Sequence, residues 1–126
     1  MTDKKFLLIR IPYLEGNNIA ADGSLDPSVT QGKPVVVMVQ GNFCPHCTVA
    51  KPMFQEFARL TPSVQAATVQ TDGGPTDREA AKNLSKVNTS PGVPAFLGFN
   101  KDGKFVAIHS GGRDVSSLQK FAQSLN

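Results

Sequence analysis

The sequence predicts a single α/β domain spanning residues 1–126, with a central mixed sheet and helices on both faces. Three observations carry that prediction. Val35-Val36-Val37-Met38-Val39 is a continuous apolar, β-branched run, the pattern of a strand buried on both faces. Stretches whose apolar residues recur at helical spacing alternate with strand-like runs along most of the chain. Near the C-terminus, two short strand-like runs flank Asn100-Lys101-Asp102-Gly103, a turn that makes them an antiparallel hairpin.

Lys5–Ile11 reads as the first strand. Residues 12–34 are rich in Pro, Gly, Asn and Asp and read as a long surface connection. Within it Asp26-Pro27-Ser28 opens one helical turn, with Asp as N-cap and Pro in the first helical position. The apolar strand covers 35–40. A helix follows over Pro45–Leu60, with Val49, Met53, Phe54, Phe57 and Leu60 as its apolar stripe. Pro52 lies inside this helix, cannot donate to its ladder and kinks it. Ala66–Asp72 is the next strand, ended by Gly73-Gly74-Pro75. Thr76-Asp77-Arg78-Glu79 reads as the capping box of a helix reaching to about Val87. Its Arg78, Lys82 and Lys86 form a wet face. Thr89–Pro94 breaks the pattern. Ala95–Phe99 and Lys104–His109 form the hairpin, which leaves His109 facing solvent on an edge strand. Asp114 caps a last helix with Val115, Leu118, Phe121, Ala122 and Leu125 on one side.

Charge and composition exclude some classes of function. The 13 basic and 10 acidic side chains are scattered, so no basic arm is available for nucleic acid. Trp is absent and aromatics are few, which argues against a base-stacking platform. The run Phe6-Leu7-Leu8-Ile9, broken by Arg10, is too short for a signal sequence core or a bilayer span. The expectation is a cytoplasmic monomer with neither nucleic acid nor membrane as partner.

The chemistry concentrates in the only two cysteines, Cys44-Pro45-His46-Cys47, where a buried strand hands over to a helix. In a reducing compartment such a pair is catalytic or metal-binding rather than a structural staple. The spacing permits a disulfide, and N–H groups at the helix start favour the first sulfur as a thiolate. Pro45 and His46, between the cysteines, are the redox tuning elements. A zinc site is the competing reading. It has no second cysteine pair and would need His46 and His109 to complete its ligands, so no metal is expected.

Over roughly residues 35–126 the chain resembles the thioredoxin superfamily. The resemblance is carried by the apolar strand before Phe43-Cys44-Pro45-His46-Cys47 and by Pro52, five residues after the second cysteine. Gly92-Val93-Pro94 before a strand, Gly103, Gly111, Leu118 and Phe121 also fall in similar positions. Cys-Pro-His-Cys, with Val93 before and Ala95 after the proline, is similar to the bacterial disulfide oxidases of the DsbA type, although no segment is long enough for their helical insertion. The chain departs from thioredoxins where they keep a buried Asp and a partnering Lys, for here Met38 stands at the first position and Thr68 or a neighbour at the second.

The resemblance implies a thioredoxin-like fold with Cys44 as an exposed nucleophile and Cys47 as the more buried resolving thiol. His46 would stabilise the Cys44 thiolate by hydrogen bond or charge, making the disulfide more oxidising. Pro94 would be the family's cis-proline, with Val93 free to pair with an extended substrate. Phe43 would form an aromatic lip, and Gly111, with Gly112, a third side of the groove. The implied function is a thiol–disulfide oxidoreductase. It would act on protein or peptide thiols and disulfides through a mixed disulfide, with no cofactor beyond its own disulfide. A thioredoxin-reductase-like or glutathione partner would recharge it. The alternative is a redox-inert or redox-sensing module that uses the same fold to bind a protein.

Overall fold

A computed structural model describes residues 11–125. The strand expected over Lys5–Ile11 therefore lies outside the described residues, save for Ile11, which is a buried bend. Four strands and four α-helices follow: α1 (Pro27–Thr30), β1 (Val35–Gln40), α2 (Pro45–Leu60), β2 (Gln65–Gln70), α3 (Pro75–Leu84), β3 (Ala95–Phe99), β4 (Phe105–Ile108) and α4 (Val115–Gln123). The sheet order is β2-β1-β3-β4. β1 runs parallel to β2, from Val35 beside Gln65 to Gln40 beside Gln70. It runs antiparallel to β3, from Val35 beside Phe99 to Val39 beside Ala95. β3 and β4 close the mixed sheet as an antiparallel pair.

β1 is buried along its whole length, as its unbroken apolar run requires. Alternate side chains feed two cores. Val36 and Met38 face α2 and α4, packing with Phe54, Phe57, Phe96 and Leu118. Val35, Val37 and Val39 face the opposite side, with Val69, Ala80, Leu84, Leu97 and Phe99. Removing each such side chain from water contributes about 1.5–3 kcal/mol, which makes β1 the element on which both helical layers are organised.

Several expectations are corrected. The 12–34 segment is not a surface connection: Leu14, Ile19, Leu25 and Val29 are buried in the second core. Their polar neighbours supply turns, including a 3-10 turn at Gly16–Asn18, while the intervening apolar residues reach inward. The α1 turn forms with Asp26 accepting the Ser28 N–H at 3.0 Å. In α2 the buried face is Cys47, Ala50, Lys51, Phe54, Phe57 and Ala58, whereas Val49, Met53 and Leu60 are exposed. The stripe read from the sequence was rotated because it followed the large apolar residues and passed over small Ala50, Ala58 and Cys47. The α3 N-cap is Gly74 rather than Thr76: Asp77 accepts the Gly74 N–H at 3.0 Å, Pro75 takes the first turn, and the helix ends at Leu84. β2 stops at Gln70 and β4 at Ile108, one or two residues inside their expected ends.

Gly103 closes the hairpin with φ +82°, a conformation L side chains rarely adopt, and its backbone packs against the Leu25 carbonyl. The Leu25 N–H donates to the Gly103 carbonyl at 2.9 Å, fastening the 12–34 segment to the hairpin.

Candidate active site

The site grows from the end of β1. Gly41 has no side chain, and a Cβ there would run into the Phe43 ring, so glycine lets that ring fold back over the turn. Phe43 remains 69% exposed. Asp72, just beyond β2, reaches across to this turn. Its carboxylate accepts the Asn42 N–H at 3.0 Å, the Phe43 N–H at 3.3 Å and the Gln70 side-chain amide at 3.1 Å. Burial opposes ionisation of Asp72, but these donors outweigh it and hold the carboxyl below the usual carboxylate range.

With the turn held, Cys44 becomes the N-cap of α2 in extended backbone, φ −98° and ψ 109°. Its Sγ accepts the Cys47 N–H at 3.0 Å, in place of the oxygen that usually caps a helix. Pro45 at the first helical position loses no hydrogen bond there, because that N–H has no helical partner. Cys44 and Cys47 are joined as a disulfide with Cα atoms 5.2 Å apart. Cys47 is fully buried. Cys44, expected to be exposed, is only 5% exposed. One side of its sulfur meets the Cys47 N–H, and the Val93 carbonyl oxygen lies 3.6 Å away on the loop opposite.

That loop carries the other candidates. The Val93–Pro94 peptide is cis, and both residues are half-buried. Among the described residues Val93 makes no backbone hydrogen bond, so its N–H is available to a passing strand. Val93, Pro94 and Gly111 line one groove of about 350 Å³, together with Ser90, His109 and Arg113. Val93 connects the two parts: it lines this groove with Pro94 and Gly111, and its carbonyl oxygen is the contact to Cys44 Sγ, while Cys47 stays fully buried and neither cysteine lines the groove. His46 is exposed in the first turn of α2 and makes no hydrogen bond to Cys44 or any other described residue.

His109 corrects its expected place in solvent. It is half-buried, with its ring 4.8 Å from that of Phe121 and 6.3 Å from that of Phe96. Its Nε2 lies 2.6 Å from the Gly112 carbonyl oxygen. A carbonyl only accepts, so Nε2 carries the proton and donates. His109 therefore braces the glycine turn. Among the described residues, no group of three or more His, Cys, Asp or Glu side chains is placed to hold a metal.

In β2, fully buried Thr68 donates its hydroxyl to the Met38 carbonyl at 2.7 Å. No Asp or Glu is buried among the described residues, so no internal carboxylate stands ready to take a proton from Cys47. Sequence reasoning missed Asp72 and Arg113. The parallel register that pairs Gln40 with Gln70 extends to set Asp72 beside Asn42, and that extension was the available signal. Arg113 follows a glycine turn whose course was not readable.

The comparisons agree with this geometry. No protein-family model matches the chain. The 453L protein of Invertebrate iridescent virus 6, named for its likeness to thioredoxin, is 29% identical over 111 residues, covering 79% of this chain and 78% of the viral protein. The thioredoxin of Fasciola hepatica superposes with TM-score 0.60 at 25% identity, over 77% of this chain and 85% of its own. Thioredoxin O2 of Arabidopsis thaliana, in its oxidised state, gives TM-score 0.63 at 21% identity over 91% and 92%. The fold is thioredoxin-like. With the Cys44–Cys47 disulfide, it supports a place in the thioredoxin superfamily and agrees with thiol–disulfide oxidoreductase chemistry.

Proposed function

We propose that the protein exchanges disulfides with protein or peptide substrates through Cys44, and that its disulfide is more oxidising than that of thioredoxin. The observation that carries this reading is the Cys44 sulfur capping α2, accepting the Cys47 N–H at 3.0 Å. The same donor that meets the sulfur in the disulfide stabilises negative charge on it once the disulfide is opened. His46, two residues further on and exposed, makes no bond to the sulfur in the disulfide but would supply a second donor or a positive charge to the Cys44 thiolate. Both lower the energy of the dithiol form relative to the disulfide, which raises the reduction potential.

In the reducing direction, the Cys44 thiolate attacks one sulfur of a substrate disulfide. A Cys44–substrate bond forms and the other substrate sulfur leaves as thiolate. Cys47, deprotonated by solvent because no buried carboxylate serves it, then attacks Cys44 Sγ. The intramolecular disulfide forms and the second substrate sulfur departs, taking up a proton from water. Each cycle oxidises two protein thiols and reduces one substrate disulfide. The oxidising direction is the reverse sequence, and the potential argued above favours it. Val93 would pair its backbone with the extended substrate beside Pro94, with Phe43 and Gly111 bounding the approach. We place the protein in the cytoplasm as a monomer, recharged by glutathione or a thioredoxin-reductase-like enzyme.

The test is trapping. Cys47→Ser should accumulate mixed disulfides with peptide or protein partners, while Cys44→Ser should accumulate none. If neither variant differs from the native protein, the fold serves here as a binding module.

A further inference from the structure

We propose that the groove beside the disulfide selects extended peptide disulfides with a carboxylate next to the half-cystine, and that Arg113 is the residue that reads it. The inference rests on the oxidoreductase reading and names its substrate class. The groove of about 350 Å³ runs between the Val93–Pro94 loop and the glycine turn, and among the described residues its charged or titratable lining residues are His109 and Arg113. No Asp or Glu among the described residues lines it.

The two differ in what they are free to do. His109 is committed: its Nε2 donates to the Gly112 carbonyl at 2.6 Å and its ring packs against Phe121. Arg113 is exposed and makes no hydrogen bond or ion pair with any described residue. The neighbouring carboxylate that would otherwise claim it, Asp114, is engaged in capping α4, accepting the Ser117 hydroxyl at 2.7 Å and the Ser117 N–H at 3.3 Å. A planar guanidinium with its donors unspent, at the wall of a groove whose opposite wall offers an unpaired backbone N–H, suits a peptide that carries an acidic side chain. Charge at such a rim acts mainly on encounter and on the choice of partner.

The experiment compares three cystine peptides identical except for Glu, Gln or Lys flanking the half-cystine. Each exchange rate with the reduced protein is divided by that peptide's rate with glutathione, which removes its intrinsic reactivity. The expected order is Glu, then Gln, then Lys, with Glu over Gln by about threefold to fivefold, the range of an exposed ion pair. Arg113→Gln should bring the Glu-to-Gln ratio to about one and Arg113→Glu should invert it. Lys101→Gln, an equal loss of charge at the hairpin turn, should keep the native ratio. Equal rates for all three peptides with the native protein, or a preference that survives Arg113→Gln, overturns the assignment while leaving the oxidoreductase reading intact. If no peptide exchanges with Cys44 at all, that reading itself fails.

Discussion

Two irregular segments of this chain are held in opposite ways. The turn from Gly41 to Cys44 is fixed by polar contacts: one carboxylate, Asp72, collects the Asn42 and Phe43 N–H groups, and a sulfur caps the helix that follows. Its large side chain, Phe43, stays in solvent. The segment from 12 to 34 is fixed by apolar burial of Leu14, Ile19, Leu25 and Val29. Most of its hydrogen bonds are local turns, and a few tie it to distant elements, as when the Asn83 side-chain amide donates to the Ile19 carbonyl at 2.9 Å. The first arrangement fixes the geometry of the reactive sulfur just beneath the surface, where Cys44 is 5% exposed. The second supplies stability and presents no reactive side chain.

Substitutions can break this division. The largest effect on stability is expected in the packed segment. Leu25→Ala should cost roughly 2–5 kcal/mol in denaturant unfolding, through lost burial and the cavity left behind. Its exchange rate at Cys44, measured on the folded protein, should not change. A parallel loss of reactivity would show that the two segments are coupled. Gly103→Ala should cost about 1–3 kcal/mol, because φ is +82° and a Cβ there would press on the Leu25 carbonyl. That clash touches only the segment's anchor, so the redox potential should hold.

Asp72→Ala should cost less stability, about 1 kcal/mol, yet slow disulfide exchange, because it frees the turn that sets Cys44. The Asp72 carboxyl is held below its unfolded value. Its contribution is therefore complete above about pH 5, where the group is ionised whether folded or not, and is lost as pH falls from there through the lowered folded value. Unfolding followed from pH 7 downward should show native and Asp72→Ala protein converging at the acid end. A difference that is constant with pH would contradict the role given to the carboxylate. The smallest effect belongs to the outer face of α2: Val49 is 70% exposed, and Val49→Ser should stay within about 0.5 kcal/mol.

The same division explains what could be read from the sequence. The bounds of β1 and α2 and the hairpin turn at Gly103 were legible because local pattern determines them: an unbroken apolar run, a helical period after Pro45, a turn needing positive φ. The cysteine pair was legible because its chemistry demands two thiols at one spacing. The 12–34 segment was not, since Leu25 and Ile19 find their partners in the hairpin and α3, far along the chain. The same distance hid the role of Asp72, 30 residues from Asn42, whereas the bracing of Gly112 by His109 spans three residues and was hidden by the unreadable course of the glycine turn. The depth of Cys44 was hidden because Val93, 49 residues away, forms the wall against it.

In the function proposed above, the capped, His-flanked Cys44 sulfur makes this pair an oxidising exchanger. The most direct measurement is the reduction potential of Cys44–Cys47 at equilibrium in glutathione buffers. The expected result is ready equilibration and a potential above the value of about −270 mV typical of thioredoxin, falling toward it in His46→Ala. A pair that fails to equilibrate with glutathione, or one that sits at or below thioredoxin's potential, would contradict it.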